Sequence, residues 1–249
     1  MPKFFVPHEN IAEDKITINN EDVAHITKVL RYKAGDELFL CDGRGTDYTV
    51  QIAQIEKKKI ICNIISKKKS DTEPNIKITL FQGLPKASKM EYIIQKTTEL
   101  GIAKIVPCIM DRCVVKLSDG VEKKVERWRK VAYEAAKQSG RGVVPEVTMP
   151  VKFDDAVKML KENDIYFAPY ECENMNTLKS VLLERENPST VGFMIGPEGG
   201  YDLDEVEKLK NENVNTVTLG KRILRTETAG EAVVSMTMYE IGDVNIVKQ

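Results

Sequence analysis

Histidine is nearly absent from this chain of 249 residues: only His8 and His25 occur, which leaves little material for a histidine-based metal site or catalytic triad. Cysteine is sparse as well. Cys41, Cys62, Cys108, Cys113 and Cys172 are odd in number and never spaced C-x-x-C, which points to reduced cytosolic thiols packed as small apolar groups. No apolar run approaches the length of a membrane span, and Met1-Pro2-Lys3 opens no signal peptide. The expectation is a cytoplasmic protein with no metal and no membrane contact. Also missing are the G-x-G-x-x-G fingerprint and a Gly-Lys-Ser/Thr loop, so a dinucleotide oxidoreductase is disfavoured.

What remains is an ordinary globular composition, 42% hydrophobic and 30% charged, long enough for one large or two modest domains. The net charge of −1 hides an uneven distribution. Residues 1–73 carry 12 basic and 12 acidic side chains, residues 74–150 carry 14 and 8, and residues 151–249 carry 11 and 18. A basic middle segment can face a polyanion, although solvated helix faces alone also produce such imbalances.

Hydrophobic periodicity divides the chain in two. Residues 15–18, 37–41, 48–55 and 60–65 are short, β-branched and separated by turn signals such as Asp42-Gly43-Arg44-Gly45, with one helix over 21–30 that presents Val23, Ile26, Val29 and Leu30. This predicts a small β-barrel with one helix over 1–73, the polar stretch 66–75 serving as linker. From residue 74 the pattern alternates strand and helix. Strands are expected at 76–80, 103–109, 165–168, 191–195 and 214–219. Helices are expected after a capping box at Ser88 and Glu91, and over 119–139. Repeated β–α units over 74–249 imply an α/β domain with a mostly parallel sheet, whose ligands gather at the carboxyl ends of the strands. Three loops then fall together: Pro169-Tyr170-Glu171, the turn at Gly196, and Gly220 to Arg225.

The stretch FMIGPEGGYDLDEV contains the second of these loops. A glycine-rich turn before a helix often binds phosphate. Here Asp202 and Glu205 have capping-box spacing and supply the helix with its own anions, while Glu198 and Asp204 add like charge. A neutral or cationic ligand fits better. The third loop lies in LGKRILRTETAGEA, where Gly220 permits a turn and Ile223-Leu224 is either core or the wall of an aromatic ring. Thr228 and Glu231 have capping-box spacing, opening a helix with Ala232, Val233, Met236 and Tyr239 on one face. Arg222, Arg225 and Glu227 are costly to bury unpaired, so they pair with one another or face a substrate.

GPEGG followed by LGKRILRTETA resembles the SPOUT superfamily of methyltransferases. QGLPKASKMEYIIQKTTELGI, DRCVVK, EAAKQSGR, FFVPH and HITKVLR…GD…DGRG extend the similarity over nearly the whole chain. In their order they are similar to the 16S ribosomal RNA (uracil-N3)-methyltransferase family. Lys3 stands where that family often has arginine, and Gly230 follows Ala229 as a second departure. The resemblance implies a PUA-like, RNA-binding N-terminal barrel and a C-terminal domain tied in a deep trefoil knot. It also implies S-adenosylmethionine as cofactor, a homodimer, and methylation of N3 of one uridine, number 1498 in the usual ribosomal numbering, on the assembled small subunit. By carry-over Tyr170, Ile195, Gly196, Glu198, Gly199, Leu219, Gly220, Ile223 and Leu224 line the cofactor pocket and Thr228 closes it. Lys3, Arg31, Lys86, Lys89, Arg112 and Arg141 are expected on RNA, where phosphates favour basic side chains.

Uracil N3–H ionises roughly two to three units above neutral pH, so forming the anion costs about 3–4 kcal/mol at pH 7. Arg225 is the candidate for stabilising that charge, and Glu227 is a candidate base or positioning group, with Glu198 a second candidate base if desolvation raises its pKa. Two rivals stand beside this reading: a ribose 2′-O-methyltransferase on the same fold, and a non-catalytic RNA-binding or ribosome-assembly factor.

Overall fold

Apolar residues at every second position build the first sheet. Its strands are β1 (Lys3–Phe5), β2 (Lys15–Asn19), β3 (Glu37–Cys41), β4 (Thr46–Ile55) and β5 (Lys59–Lys69), in the order β1-β3-β4-β5-β2. All neighbours run antiparallel except β1 and β3. Ile16, Ile18, Leu38, Leu40, Val50, Ile52, Ile60 and Cys62 point to one side and meet Phe4, Val6, Val23 and Ile26 in a common core. Full burial of each such aliphatic side chain contributes about 1.5–3 kcal/mol. The helix expected over 21–30 differs in its second half. α1 (Glu21–Ala24) gives way to a π turn over His25–Val29, closed by Leu30 N–H on the His25 carbonyl at 3.0 Å. The widened turn shifts the helical phase by one residue, so Ile26 is buried while Val29 is 68% exposed.

The computed structural model describes residues 3–19, 21–114 and 120–244. The expected helix start at Asp119 and the end of DRCVVK (Val115 and Lys116) lie outside the described residues. The chain divides into two compact units: Met1–Glu73 with Ala136–Val144, and Pro74–Ala135 with Pro145–Gln249. The first therefore includes a short segment that sequence alone placed in the second domain. Glu73 holds that segment. Its Oε1 accepts from the backbone of Gly142 and Val143 at 2.8 and 3.1 Å, and its Oε2 lies 2.6 Å from Arg141 Nη2. Arg141 is 4% exposed. The expectation that it reaches RNA is thus corrected: its buried guanidinium is spent on the half-buried carboxylate of Glu73.

The second unit contains β6 (Lys77–Gly83), α2 (Lys89–Glu99), β7 (Lys104–Ile109), α3 (Val121–Ser139, whose last turn belongs to the first unit), β8 (Glu146–Val147), β9 (Val151–Lys152), α4 (Phe153–Leu160), β10 (Ile165–Pro169), α5 (Leu178–Leu182), β11 (Thr190–Ile195), α6 (Leu203–Asn211), β12 (Asn215–Val217) and α7 (Thr226–Glu240). The sheet runs β12-β10-β11-β6-β7-β8, with β9 also on β7, and every pairing is parallel. Central β11 is buried along its whole apolar run, Val191 to Ile195, as expected for a strand covered on both faces. α4 and α6 cover one face through Phe153, Ala156, Val157, Leu160, Val206 and Leu209. Among the described residues no helix is long and apolar enough to cross a membrane.

Two capping expectations change. Ser88 is the N-cap of α2 but makes no side-chain cap bond: the Glu91 N–H donates to the Ser88 carbonyl at 3.1 Å, and the Glu91 carboxylate pairs with Arg127 at 2.7 Å. α7 begins two residues before the expected Thr228, with Arg225 as N-cap. Its buried stripe is Thr226, Ala229, Gly230, Val233, Val234, Thr237 and Met238, whereas the expected Met236 and Tyr239 face outward at 40% and 60% exposure. α7 packs on α2 and also contacts β6 and β11, and small side chains let the backbones approach.

Arg141→Ala leaves the Glu73 carboxylate without its guanidinium. We expect a loss of about 3 kcal/mol in unfolding free energy, read as a lower urea midpoint with an unchanged slope.

Candidate functional site

The carboxyl ends of β10, β11 and β12 open into one cleft of about 490 Å³. Its walls are Pro169-Tyr170-Glu171, the turn from Ile195 to Tyr201, and the loop from Thr218 to Thr226, with Lys89 of α2 and Ala229 of α7 completing it. The three loops expected to fall together do so.

The turn after β11 is braced from several sides. Asp202 and Glu205 form the capping box, Asp202 N–H donating to Glu205 Oε2 at 2.9 Å. Glu205 Oε1 also accepts the Asp111 N–H at 3.0 Å, which ties the loop after β7 to the same turn. Burial pushes the Glu205 carboxyl above the usual range, against the lowering effect of these two amides. Arg112 adds a second clamp, with Nε on Asp202 Oδ2 at 3.2 Å and Nη1 on the Gly199 carbonyl at 3.1 Å. Gly83, at the end of β6, must be glycine, since a Cβ there would lie 2.6 Å from Pro197 N. Because α6 is capped by its own carboxylates, its N-terminus does not present a phosphate site.

Thr226 closes the base of the cleft. Its buried hydroxyl donates to the Gly196 carbonyl at 2.7 Å and accepts from Gln82 Nε2 at 2.9 Å. One hydroxyl thereby joins the ends of β6 and β11 to the start of α7. Gln82 Oε1, also buried, has no hydrogen-bond partner among the described residues and faces Gly230.

Charge is arranged unevenly around the rim. Lys89 Nζ lies 3.2 Å from Glu198 Oε1 and 3.3 Å from Glu227 Oε2, and Lys86 N–H donates to Glu198 Oε1 at 3.0 Å. The Glu198 bond is the main reason that the Lys89 ammonium titrates above its ordinary value. Burial pushes Glu198 up, but the Lys86 amide, its own N–H and Lys89 outweigh it and hold the carboxyl below the usual range. The condition for Glu198 as a base, a raised pKa, is therefore not met. Arg225 is exposed on the cleft wall, as are Lys221 and Arg222, and none of the three has an ion-pair partner among the described residues. Ile223 is 85% exposed at the mouth and Leu224 is half-buried.

Tyr170, Ile195, Gly196, Glu198, Gly199, Leu219, Gly220, Ile223 and Leu224 all line this cleft. Thr228 does not: it is exposed on the outer side of α7, beside Lys96 and Glu231. Sequence reasoning missed Thr226, although the stripe of small residues repeating from it through Ala229, Gly230 and Val233 carries the signal. Of the arginine and lysine set expected on RNA, Arg31 and Lys86 are exposed. Lys3 is held by Asp47 at 3.0 Å, Lys89 by two carboxylates, and Arg112 by the turn.

Fold and cleft define an RNA methyltransferase: a family model described as an RNA methyltransferase domain matches residues 72–238, and one described as an RNA methyltransferase PUA domain matches residues 18–65. A ribosomal RNA small subunit methyltransferase E from Bacillus subtilis is 36% identical over 229 residues, 90% of each chain. The solved structure of a ribosomal RNA small subunit methyltransferase E from Neisseria gonorrhoeae, bound to S-adenosyl methionine, is 32% identical with a TM-score of 0.84, covering 98% of this chain and 100% of that one. A methyltransferase from Legionella pneumophila in complex with the same cofactor is 30% identical with a TM-score of 0.83, over 97% and 98%. The chain belongs to the ribosomal RNA small subunit methyltransferase E family.

Two substitutions test the packing under the cleft with opposite signs. Thr226→Val leaves Gln82 Nε2 and the Gly196 carbonyl short of a partner and should cost about 1–3 kcal/mol. At Gly230 a Cβ would meet Gln82 Oε1 at 3.7 Å and Leu80 at 3.8 Å, ordinary contact distances. Gly230→Ala should therefore stabilise α7 by about 0.5–1 kcal/mol. Urea unfolding of the two variants reads both.

Proposed function

We propose that this chain transfers a methyl group from S-adenosylmethionine to N3 of uridine 1498 of 16S ribosomal RNA on the assembled small subunit. It acts as a cytoplasmic homodimer, with residues 1–73 and the segment 136–144 as the RNA-binding domain and the rest of 74–249 as the methyltransferase domain. The observation that carries the reading is the cleft itself, where the glycine turn after β11 meets the loops after β10 and β12. Its volume suits a nucleoside-sized ligand. Ile195, Leu219 and Leu224 offer apolar wall for a purine, and the capped N-terminus of α6 offers no site for a phosphate. The chain returns from the edge strand β12 to place Thr226 between the ends of β6 and β11, and the trefoil crossing is assigned to this return. Exposed Tyr92, Leu100, Met236 and Tyr239 on α2 and α7 and the turn that follows α2 support a second copy packing there.

S-adenosylmethionine supplies an electrophilic methyl group from its sulfonium. The protein's part is to position uracil and to stabilise its imide anion. Arg225, a cation on the cleft wall with no ion-pair partner among the described residues, stabilises the charge that develops on the base. Glu227 is held on Lys89 and, paired in this way, keeps that ammonium at the rim. Arg31 and Lys86, both free to reach solvent, contact RNA phosphates.

The deciding experiment offers labelled S-adenosylmethionine with small subunits lacking their own methylation, naked small-subunit RNA, or transfer RNA, followed by nucleoside analysis. Label is expected in 3-methyluridine, strongest from the subunits. Label in a ribose-methylated nucleoside would overturn the base assignment, and no label with no cofactor binding would leave an RNA-binding factor. Arg225→Ala should lower kcat roughly 10²–10³-fold, with a far smaller change in cofactor affinity. Arg112→Ala, which loosens the Gly199 turn, should weaken cofactor binding roughly three- to ten-fold by calorimetry.

A further inference from the structure

Glu173 lies in the loop between β10 and α5 and is not among the residues lining the cleft. Its carboxylate is nevertheless filled with donors. Oε1 accepts the backbone N–H groups of Asn174, Met175 and Asn176 at 3.0, 2.8 and 3.2 Å, and Oε2 accepts the hydroxyl of Thr216. Successive amides converging on one point form an anion-binding nest, here occupied by the chain's own side chain. The Thr216 hydroxyl foremost, then the amides, hold the carboxyl below the usual range, so it is ionised at neutral pH.

Thr216 is a buried residue of β12. The carboxylate therefore couples the loop after β10 to the next wall of the cleft. Backbone bonds flank the junction, Tyr170 N–H on the Val217 carbonyl at 3.0 Å and Thr218 N–H on the Asn176 carbonyl at 2.8 Å. From there both segments run into the cleft, one as Tyr170 and Glu171, the other as Thr218, Leu219 and Gly220. The loop has little burial of its own: Cys172, Asn174, Met175 and Asn176 are all exposed. Its conformation depends on polar bonds, and Glu173 gathers four of them.

We propose that Glu173 is a positioning residue for the cofactor, setting the separation of the Tyr170 and Leu219 walls without touching the ligand. The proposal rests on the reading of the cleft as the S-adenosylmethionine site. A misplacement of a binding wall on the order of 1 Å is enough to change affinity and rate strongly.

The full chain is compared with Glu173→Ala, Glu173→Gln and Thr216→Val by calorimetric titration of S-adenosylmethionine and by methyl transfer to unmethylated small subunits. Glu173→Ala should raise Kd and KM for S-adenosylmethionine about ten-fold or more, with kcat at saturation and KM for the subunit changed less than about two-fold. Glu173→Gln keeps an oxygen for the three amides and should recover most of the affinity. Thr216→Val, which preserves shape and removes only the carboxylate's bond to β12, should fall between the two. Unaltered cofactor affinity in folded Glu173→Ala would overturn the proposal. So would an equal loss of kcat and of both KM values alongside a lowered Tm, the mark of a general structural role. If the unaltered chain fails to bind S-adenosylmethionine, the reading of the cleft fails first and takes this inference with it.

Discussion

The hydroxyl of Thr226 has one proton and uses it on the Gly196 carbonyl, so the Gln82 amide must donate to it from the other side. That single buried polar junction fastens three chain segments that are distant in sequence. It places the first turn of α7 against the ends of the two central strands, and the cleft is what remains between them. An unmade bond here strands buried donors and acceptors, which is why the junction constrains its neighbours. The small stripe of α7, from Thr226 through Ala229 and Gly230, follows from the same close approach.

On the turn after β11 and at the start of α2, charge is consumed by structure. Arg112 spends its guanidinium on Asp202 and Gly199, and Lys89 is shared by Glu198 and Glu227. Glu205 is spent on two backbone amides. These bonds turn an acidic and mobile kind of sequence, glycine-rich with several carboxylates, into a fixed rim. Lys221, Arg222 and Arg225 line the same cleft exposed and have no ion-pair partner among the described residues, and of these Arg225 stands next to the first turn of α7.

In the first unit the same economy operates through Glu73, which satisfies Arg141 and two amides of the segment 142–143. A motif that looks like an exposed basic loop in one dimension is an internal strap in three. Family similarity explains why the motif is there; only the ion pair explains what its arginine does in this chain.

Much of the fold was legible because periodicity reports burial directly. The alternation in β2 to β5, the apolar run of β11, and the Asp202–Glu205 capping box are local patterns, and local patterns survive translation into structure. The glycine turn and its loop partners were legible for the same reason, as strand ends in a parallel sheet. Thr228 for Thr226, the outward Met236 and Tyr239, and the π turn at His25 were misread, because each depends on helix phase, which packing sets. Strands as short as β8 and β9 carry no period at all. By itself the sequence determined the two-part organisation, the parallel sheet and the loops that form the cleft. Tertiary structure alone decided which charged groups are free, since a carboxylate and a guanidinium far apart in the chain neutralise each other only when folding brings them within a few ångströms.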